Sequence, residues 1–169
     1  MKNCFKLMSL MLGLLMCSQV FVACGDDDED DKNPTGGDTS IKAEQLYGCW
    51  CAVDENTAEK VNVFCVYLEP DNRGYYVEFK AKAKNNWEVE DESVDIKWSL
   101  SNGKLTMIAE YEGERMERSA DLLKLDGNSL TIKRYLGEGK TDQVTMARAE
   151  SPQEARQILW QLVEQKMGK

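Results

Sequence analysis

Short runs in which apolar and polar residues alternate occupy the chain from about residue 44 to residue 148. The clearest run contains Val94, Ile96, Trp98 and Leu100, separated by polar residues. An alternation with a period of two places apolar side chains on one face of a β-strand. The pattern therefore predicts strands throughout this segment. The eight predicted strands are 46–54, 60–69, 75–83, one that includes 94–100, one that includes 105–111, 115–125, 130–135 and 141–148.

Turn residues separate these strands and indicate how they connect. Asn102-Gly103 and Asp126-Gly127 are typical of tight hairpins, because both positions tolerate the positive φ that such turns require. Sequential strands with short connections favour an antiparallel meander. A single sheet of eight strands would expose an apolar face and two edges, so we expect it to close. The prediction is an all-β domain over 44–148, a small eight-stranded antiparallel up-and-down barrel.

The C-terminal segment has a different pattern. Ser151-Pro152-Gln153-Glu154 has the form of a capping box with proline at the first helical position. Apolar residues then recur at helical spacing: Ala155, Ile158, Leu159, Leu162 and Val163. We therefore predict an amphipathic helix over 150–167 that packs on the barrel. The alternative is a helix that binds a partner protein.

The N-terminal segment has the features of a signal peptide. Lys2 and Lys6 precede an apolar run at 7–16, which is too short for a membrane span. The Ala23-Cys24 pair that follows resembles the lipobox of bacterial lipoproteins. The resemblance implies that residues 1–23 are removed and that Cys24 becomes an acylated, palmitate-bearing N-terminus. Three acyl chains would anchor the protein stably to a membrane.

Six consecutive acidic residues, 26–31, follow the acylation site, and a segment that contains Gly, Pro and Ser comes next, at 32–40. Like charges repel one another and these residues supply no core, so we predict a disordered tether over 24–43. An acidic run beside the acylated cysteine also resembles the surface-export signal of lipoproteins in one lineage of Gram-negative bacteria. That resemblance implies an outer-membrane lipoprotein at the cell surface. The alternatives are a plain solvated linker and a location on the periplasmic face.

Composition excludes several classes of function. The formal charge of −9 argues against nucleic acid as a partner, because nucleic-acid binding needs a basic surface. The chain contains no histidine, which removes the Ser-His-Asp triad, the Cys-His pair and histidine-ligated metals. No cofactor motif is recognisable. We therefore expect neither an enzyme nor a cofactor.

Three cysteines belong to the predicted barrel: Cys49, Cys51 and Cys65. Three is an odd number, so at most one disulfide can form within the chain. Cys65 on the second strand could pair with either of the others on the first. A metal site would need more ligands or a CxxC motif, so we expect no metal here. The cysteines are interpreted as buried small apolar residues or as one structural bridge.

Three segments resemble the lipocalin-like domains of bacterial lipoproteins. Leu46-Tyr47-Gly48-Cys49-Trp50 is similar to their L-x-G-x-W opening, 98–107 to their strand, Asn-Gly turn and strand unit, and 122–132 to their late hairpin. The resemblance covers about 44–148 and implies an eight-stranded barrel that is open at one end. It also implies that Trp50 plugs the closed end beneath Arg148. It names no ligand.

The function of the protein depends on whether the barrel interior contains a cavity for a ligand. Six residues are candidates to line a ligand cavity: Trp98, Leu105, Met107, Met116, Val144 and Met146. The leading hypothesis is a lipid-anchored envelope lipoprotein that binds a small apolar or amphipathic ligand. The alternative is a barrel filled by its own side chains, which would be a non-enzymatic accessory module of an outer-membrane complex. The acidic stretch 88–95 is interpreted as a solvated edge or loop.

Overall fold

A computed structural model describes residues 37–83, 87–111 and 113–167. The predicted signal peptide, the lipidation site Cys24 and most of the predicted tether lie outside these residues. Among the described residues, no helix combines the length and apolar character needed to cross a membrane. The described part has this element order: α1 (Ala43–Leu46), β1 (Gly48–Asn56), β2 (Lys60–Leu68), β3 (Arg73–Ala83), β4 (Trp87–Ser101), β5 (Lys104–Tyr111), β6 (Glu114–Asp126), β7 (Ser129–Gly137), β8 (Lys140–Ala149) and α2 (Pro152–Lys166).

The eight strands form a closed antiparallel barrel in which each strand pairs with its neighbours along the chain. This confirms the predicted up-and-down architecture. The Asn102-Gly103 turn has φ values of 51° and 70°, as its sequence indicated. The acidic stretch 88–95 is a solvated edge, as predicted. It lies within β4 and pairs with β3 on one side, whereas in the described residues β4 pairs with β5 only over 96–101, and most of the stretch is exposed.

The barrel closes at a short seam between β1 and β8. Only Cys49–Cys51 pair with Ala147–Ala149 there, whereas β1 and β2 pair over eight positions. Beyond these three pairs, β1 continues toward Asn56 and β8 toward Lys140. The described residues show no backbone pairing between these two parts of the strands.

Alternation along the strands divides the apolar side chains between an inner and an outer layer. The inner layer is the main core and includes Trp50, Leu68, Leu105, Leu122 and Met146. The outer layer covers β1, β2 and β3, and its buried residues are Cys49, Cys51, Val61, Val63, Cys65, Val77, Phe79 and Ala81.

Helix α2 packs against β1, β2, β3 and β8 and covers this outer layer. All five apolar residues that predicted its inner face are buried. The capping prediction needs a correction. Ser151 is the N-cap, but its side chain makes no capping hydrogen bond, and one carboxylate oxygen of Glu154 is buried without a partner. Burial of the apolar face thus stabilises α2 more than its cap does.

Candidate functional site

One end of the barrel, termed the tryptophan end, is closed around Trp50. Its indole is fully buried, and its Nε1 donates a hydrogen bond to the Leu46 carbonyl at 2.7 Å. The guanidinium carbon of Arg148 lies 4.4 Å from the Trp50 ring centroid, within cation–π distance. The structure therefore brings together the two residues predicted as structural partners.

The L-x-G-x-W segment has a geometric explanation at this end. Arg148 donates hydrogen bonds to the carbonyls of Tyr47 and Gln45, each at 2.7 Å. Gly48 has φ of 111°, and a Cβ at this position would lie 3.1 Å from Nη1 of Arg148. Glycine is therefore required both by the backbone conformation and by the close approach of the arginine.

A cavity of about 460 Å³ extends from Trp50 toward the opposite end of the barrel. This volume is within the range of small-molecule sites. Its apolar walls come from six of the strands and include Phe64, Val66, Leu68, Ile96, Leu105, Met107, Ala109, Ala120, Ile132 and Met146. The wall toward the opposite end includes Tyr76, Glu78, Glu92, Arg118 and Arg134. The cavity is therefore apolar at one end and charged at the other.

Four of the six residues predicted to line a cavity do so: Leu105, Met107, Met116 and Met146. Trp98 does not. Its indole Nε1 is held by the carbonyls of Glu69 and Arg73 at 3.1 and 3.0 Å, so the ring stays at the tryptophan end. Val144 also lies off the cavity and packs against the core.

The opposite end, termed the polar end, contains an arginine held by two carboxylates. Arg134 on β7 donates two hydrogen bonds to Asp142 on β8, at 2.9 and 2.5 Å, and forms an ion pair with Asp54 on β1 at 2.7 Å. The bonds to Asp142 raise the pKa of Arg134 and lower that of Asp142. The guanidinium carbon lies 5.5 Å from the Phe64 ring centroid. Arg134 thus links β1 to β8 through side-chain ion pairs, in a region where the described residues of these two strands have no backbone pairing.

A second ion cluster lies on the wall formed by β3 and β4. Lys80 is 2.8 Å from Glu78 and 3.4 Å from Glu92. The Asn62 amide donates a further hydrogen bond to Glu78 at 2.5 Å. Nearby Tyr76 has a raised pKa, first because it is buried and second because Glu78 is close. Its hydroxyl therefore stays protonated at neutral pH.

The sequence did not indicate these two clusters. Arg134 on β7 has its partners on two other strands, Asp54 on β1 and Asp142 on β8. The available signal was a charged residue at an inward position of an otherwise apolar alternation. That signal marks the residue as unusual but does not identify its partner on another strand.

The cysteines lie outside the cavity, beneath α2. Cys51 and Cys65 are directly opposite each other on β1 and β2 and form a disulfide. Cys49 is a buried free thiol whose sulfur lies 3.6 Å from that of Cys51. Burial, followed by the negative charge of Glu154, raises the pKa of Cys49 to about 11. The three sulfurs lie within 4.8 Å of one another, but two of them are engaged in the disulfide.

No family model matches the chain, and no curated protein matches it. Among solved structures, a variant of the fluorescent protein UnaG aligns with 65% of this chain and 100% of its own, at 10% identity and a TM-score of 0.33. The assignment of a closed eight-stranded barrel rests on the strand pairing described above.

Proposed function

We propose that this protein is a lipid-anchored envelope lipoprotein whose lipocalin-like barrel binds a small apolar or amphipathic molecule without catalysis. The observation that carries the proposal is the cavity of about 460 Å³, whose deep part is lined by apolar side chains. Apolar surface in such a cavity is stabilised when a ligand removes it from water. A cavity of this size favours a ligand-binding barrel over the filled barrel of an accessory module.

The rim of the cavity supports the same proposal. Met116, Tyr135 and Leu136 line the cavity and are 44%, 42% and 57% exposed, respectively. Exposed apolar residues grouped at one opening are characteristic of binding sites. They provide a path along which an apolar ligand can enter without crossing a fully charged surface.

A neutral fluorophore, N-phenylnaphthylamine, tests ligand binding. We expect the wild-type protein to bind it with an increase in fluorescence, and Ala109→Phe to weaken binding by about tenfold or more, because the new ring occupies the cavity. Ile108→Phe is the matched control, since Ile108 is the neighbouring residue on the opposite face of β5. Failure of the folded wild-type protein to bind the fluorophore would contradict the proposal.

The anchor and the location are proposed from the N-terminal sequence. Cys24 follows Ala23 at the end of a signal-like segment, and the acidic run 26–31 follows it. We expect Cys24→Ser to abolish incorporation of labelled palmitate in a Gram-negative host, whereas Cys49→Ser leaves it unchanged. Protease treatment of intact cells tests surface exposure, because only protein on the outer face would be digested. Protection from protease would instead indicate the periplasmic face.

A further inference from the structure

The charged side chains that line the cavity differ in what they already contact. Glu78 and Glu92 share Lys80. Arg134 is held by Asp54 and Asp142. The fourth, Arg118, makes no hydrogen bond or ion pair with any residue in the described part of the chain.

Arg118 is placed so that a bound molecule can reach it. It lies on β6 opposite Met107 of β5, and two residues along β6 on either side are Met116 and Ala120. All four residues line the cavity, so Arg118 is on the inner face of its strand. It is also exposed, so its guanidinium is accessible from solvent as well as from the cavity.

Arg134 cannot serve the same role. Its single positive charge faces two carboxylates, and Lys80 likewise faces two. Each cluster therefore carries one more negative charge than positive. An anion placed near either cluster would be repelled. Within the described cavity wall, attraction for an anion is concentrated at Arg118.

We propose that the ligand is a single-tailed amphipathic molecule with a singly charged carboxylate head group, and that Arg118 pairs with this head group. This inference rests on the function proposed above. The tail would extend into the apolar part of the cavity, toward Trp50, Leu105 and Met146. The planar guanidinium can donate two parallel hydrogen bonds to a carboxylate, which a lysine cannot do.

Three probes with the same tail and different head groups test the inference: dodecanoate, dodecanol and dodecylammonium. The purified full-length protein is titrated with each, and displacement of N-phenylnaphthylamine reports the dissociation constant. The decisive quantity is the ratio of the dissociation constants of Arg118→Gln and the wild type for each probe. This ratio cancels differences in solubility among the probes. We expect the variant to bind dodecanoate about fivefold more weakly, a value suited to an exposed ion pair.

The same substitution should leave dodecanol unchanged and should not weaken dodecylammonium binding. High salt should reduce the effect on dodecanoate, because exposed charges are screened. Arg118→Lys should retain part of the preference, because the charge remains. Arg115→Gln is the matched control. It removes the same charge from the same strand, but Arg115 is on the outer face, where it pairs with Glu117 at 3.4 Å.

The possible results separate this inference from the proposed function. If Arg118→Gln changes the binding of all three probes equally, or of none, the carboxylate assignment is overturned while ligand binding stands. The same holds if only dodecylammonium responds to the substitution. If the wild-type protein, with an intact thermal unfolding transition, binds none of the probes, both proposals fail. A loss confined to dodecanoate supports the assignment.

Discussion

The two ends of the barrel each contain an arginine that faces the interior, but the two arginines interact with different kinds of groups. At the tryptophan end, Arg148 contacts an indole ring and two backbone carbonyls. At the polar end, Arg134 contacts two carboxylates. At the tryptophan end, the arginine donates hydrogen bonds to neutral backbone carbonyls beside a fully buried ring. The second arrangement places charged groups where water still reaches them, at 25–35% exposure. The comparison indicates that the tryptophan end contributes more to stability than the polar end, whose ion pairs are partly solvated.

The largest expected effect tests the stabilising role of the tryptophan end. Trp50→Ala removes a fully buried indole and should lower the free energy of unfolding by about 3–5 kcal/mol. Thermal or urea unfolding measures this change. Trp160→Ala is the control, because Trp160 on α2 is 39% exposed, and we expect it to cost less than about 1 kcal/mol. Equal losses in the two variants would show that the buried Trp50 contributes no more stability than an exposed tryptophan on α2.

A smaller effect is expected from Arg148→Met. The variant loses the cation–π contact and leaves the Tyr47 and Gln45 carbonyls without their donor, so we expect a loss of about 2 kcal/mol. Urea unfolding at neutral pH provides the measurement, and Arg156→Met on the exposed surface of α2 is the control. Binding of N-phenylnaphthylamine by the folded variant should be retained. Stability equal to that of the wild type would show that Arg148 does not close this end.

The smallest effect is expected at the polar end and depends on pH. Hydrogen bonds from Arg134 lower the pKa of Asp142 in the folded protein, so the stabilisation is present above the ordinary aspartate pKa. It is lost as the pH falls through the lowered folded-state value. Asp142→Asn should therefore cost about 1 kcal/mol or less at pH 7, because the pair is partly exposed.

Urea unfolding at pH 7 and at about pH 3 checks this expectation, since the difference between wild type and Asp142→Asn should shrink in acid. Asp126→Asn is the control, because Asp126 pairs with Lys124 and both side chains are about 70% exposed. A difference that grows on acidification would contradict the proposed role of Arg134.

Local pattern was sufficient to predict the fold. Alternation identifies the face of a strand, as for Ile96 and Trp98, and the Asn102-Gly103 turn fixes a hairpin within four residues. Both are interactions between near neighbours in sequence. The number of strands and the absence of helices between them then leave few ways to bury the apolar face.

The candidate site could be predicted only in part, because it depends on which strands meet across the barrel. Met107 and Met146 line the cavity as predicted, but Trp98 is withdrawn by hydrogen bonds to carbonyls from another segment. Similarly, the choice of Cys51 over Cys49 as the partner of Cys65 follows from the pairing register of β1 and β2. The register and stagger of the strands are set by closure of the whole sheet. They cannot be predicted from the pattern of residues within a single strand.

The short seam between β1 and β8 has a consequence for how the barrel forms. It joins Cys49 to Ala149, the first and last strands, so the sheet cannot close until the entire barrel sequence is available. Contacts between residues so far apart raise the contact order, which slows folding toward the millisecond-to-second range typical of all-β domains. Until β8 is available, a sheet of the first seven strands leaves two edges uncovered, one at β1 and one at β7. The protein is most exposed to edge-to-edge aggregation during this interval.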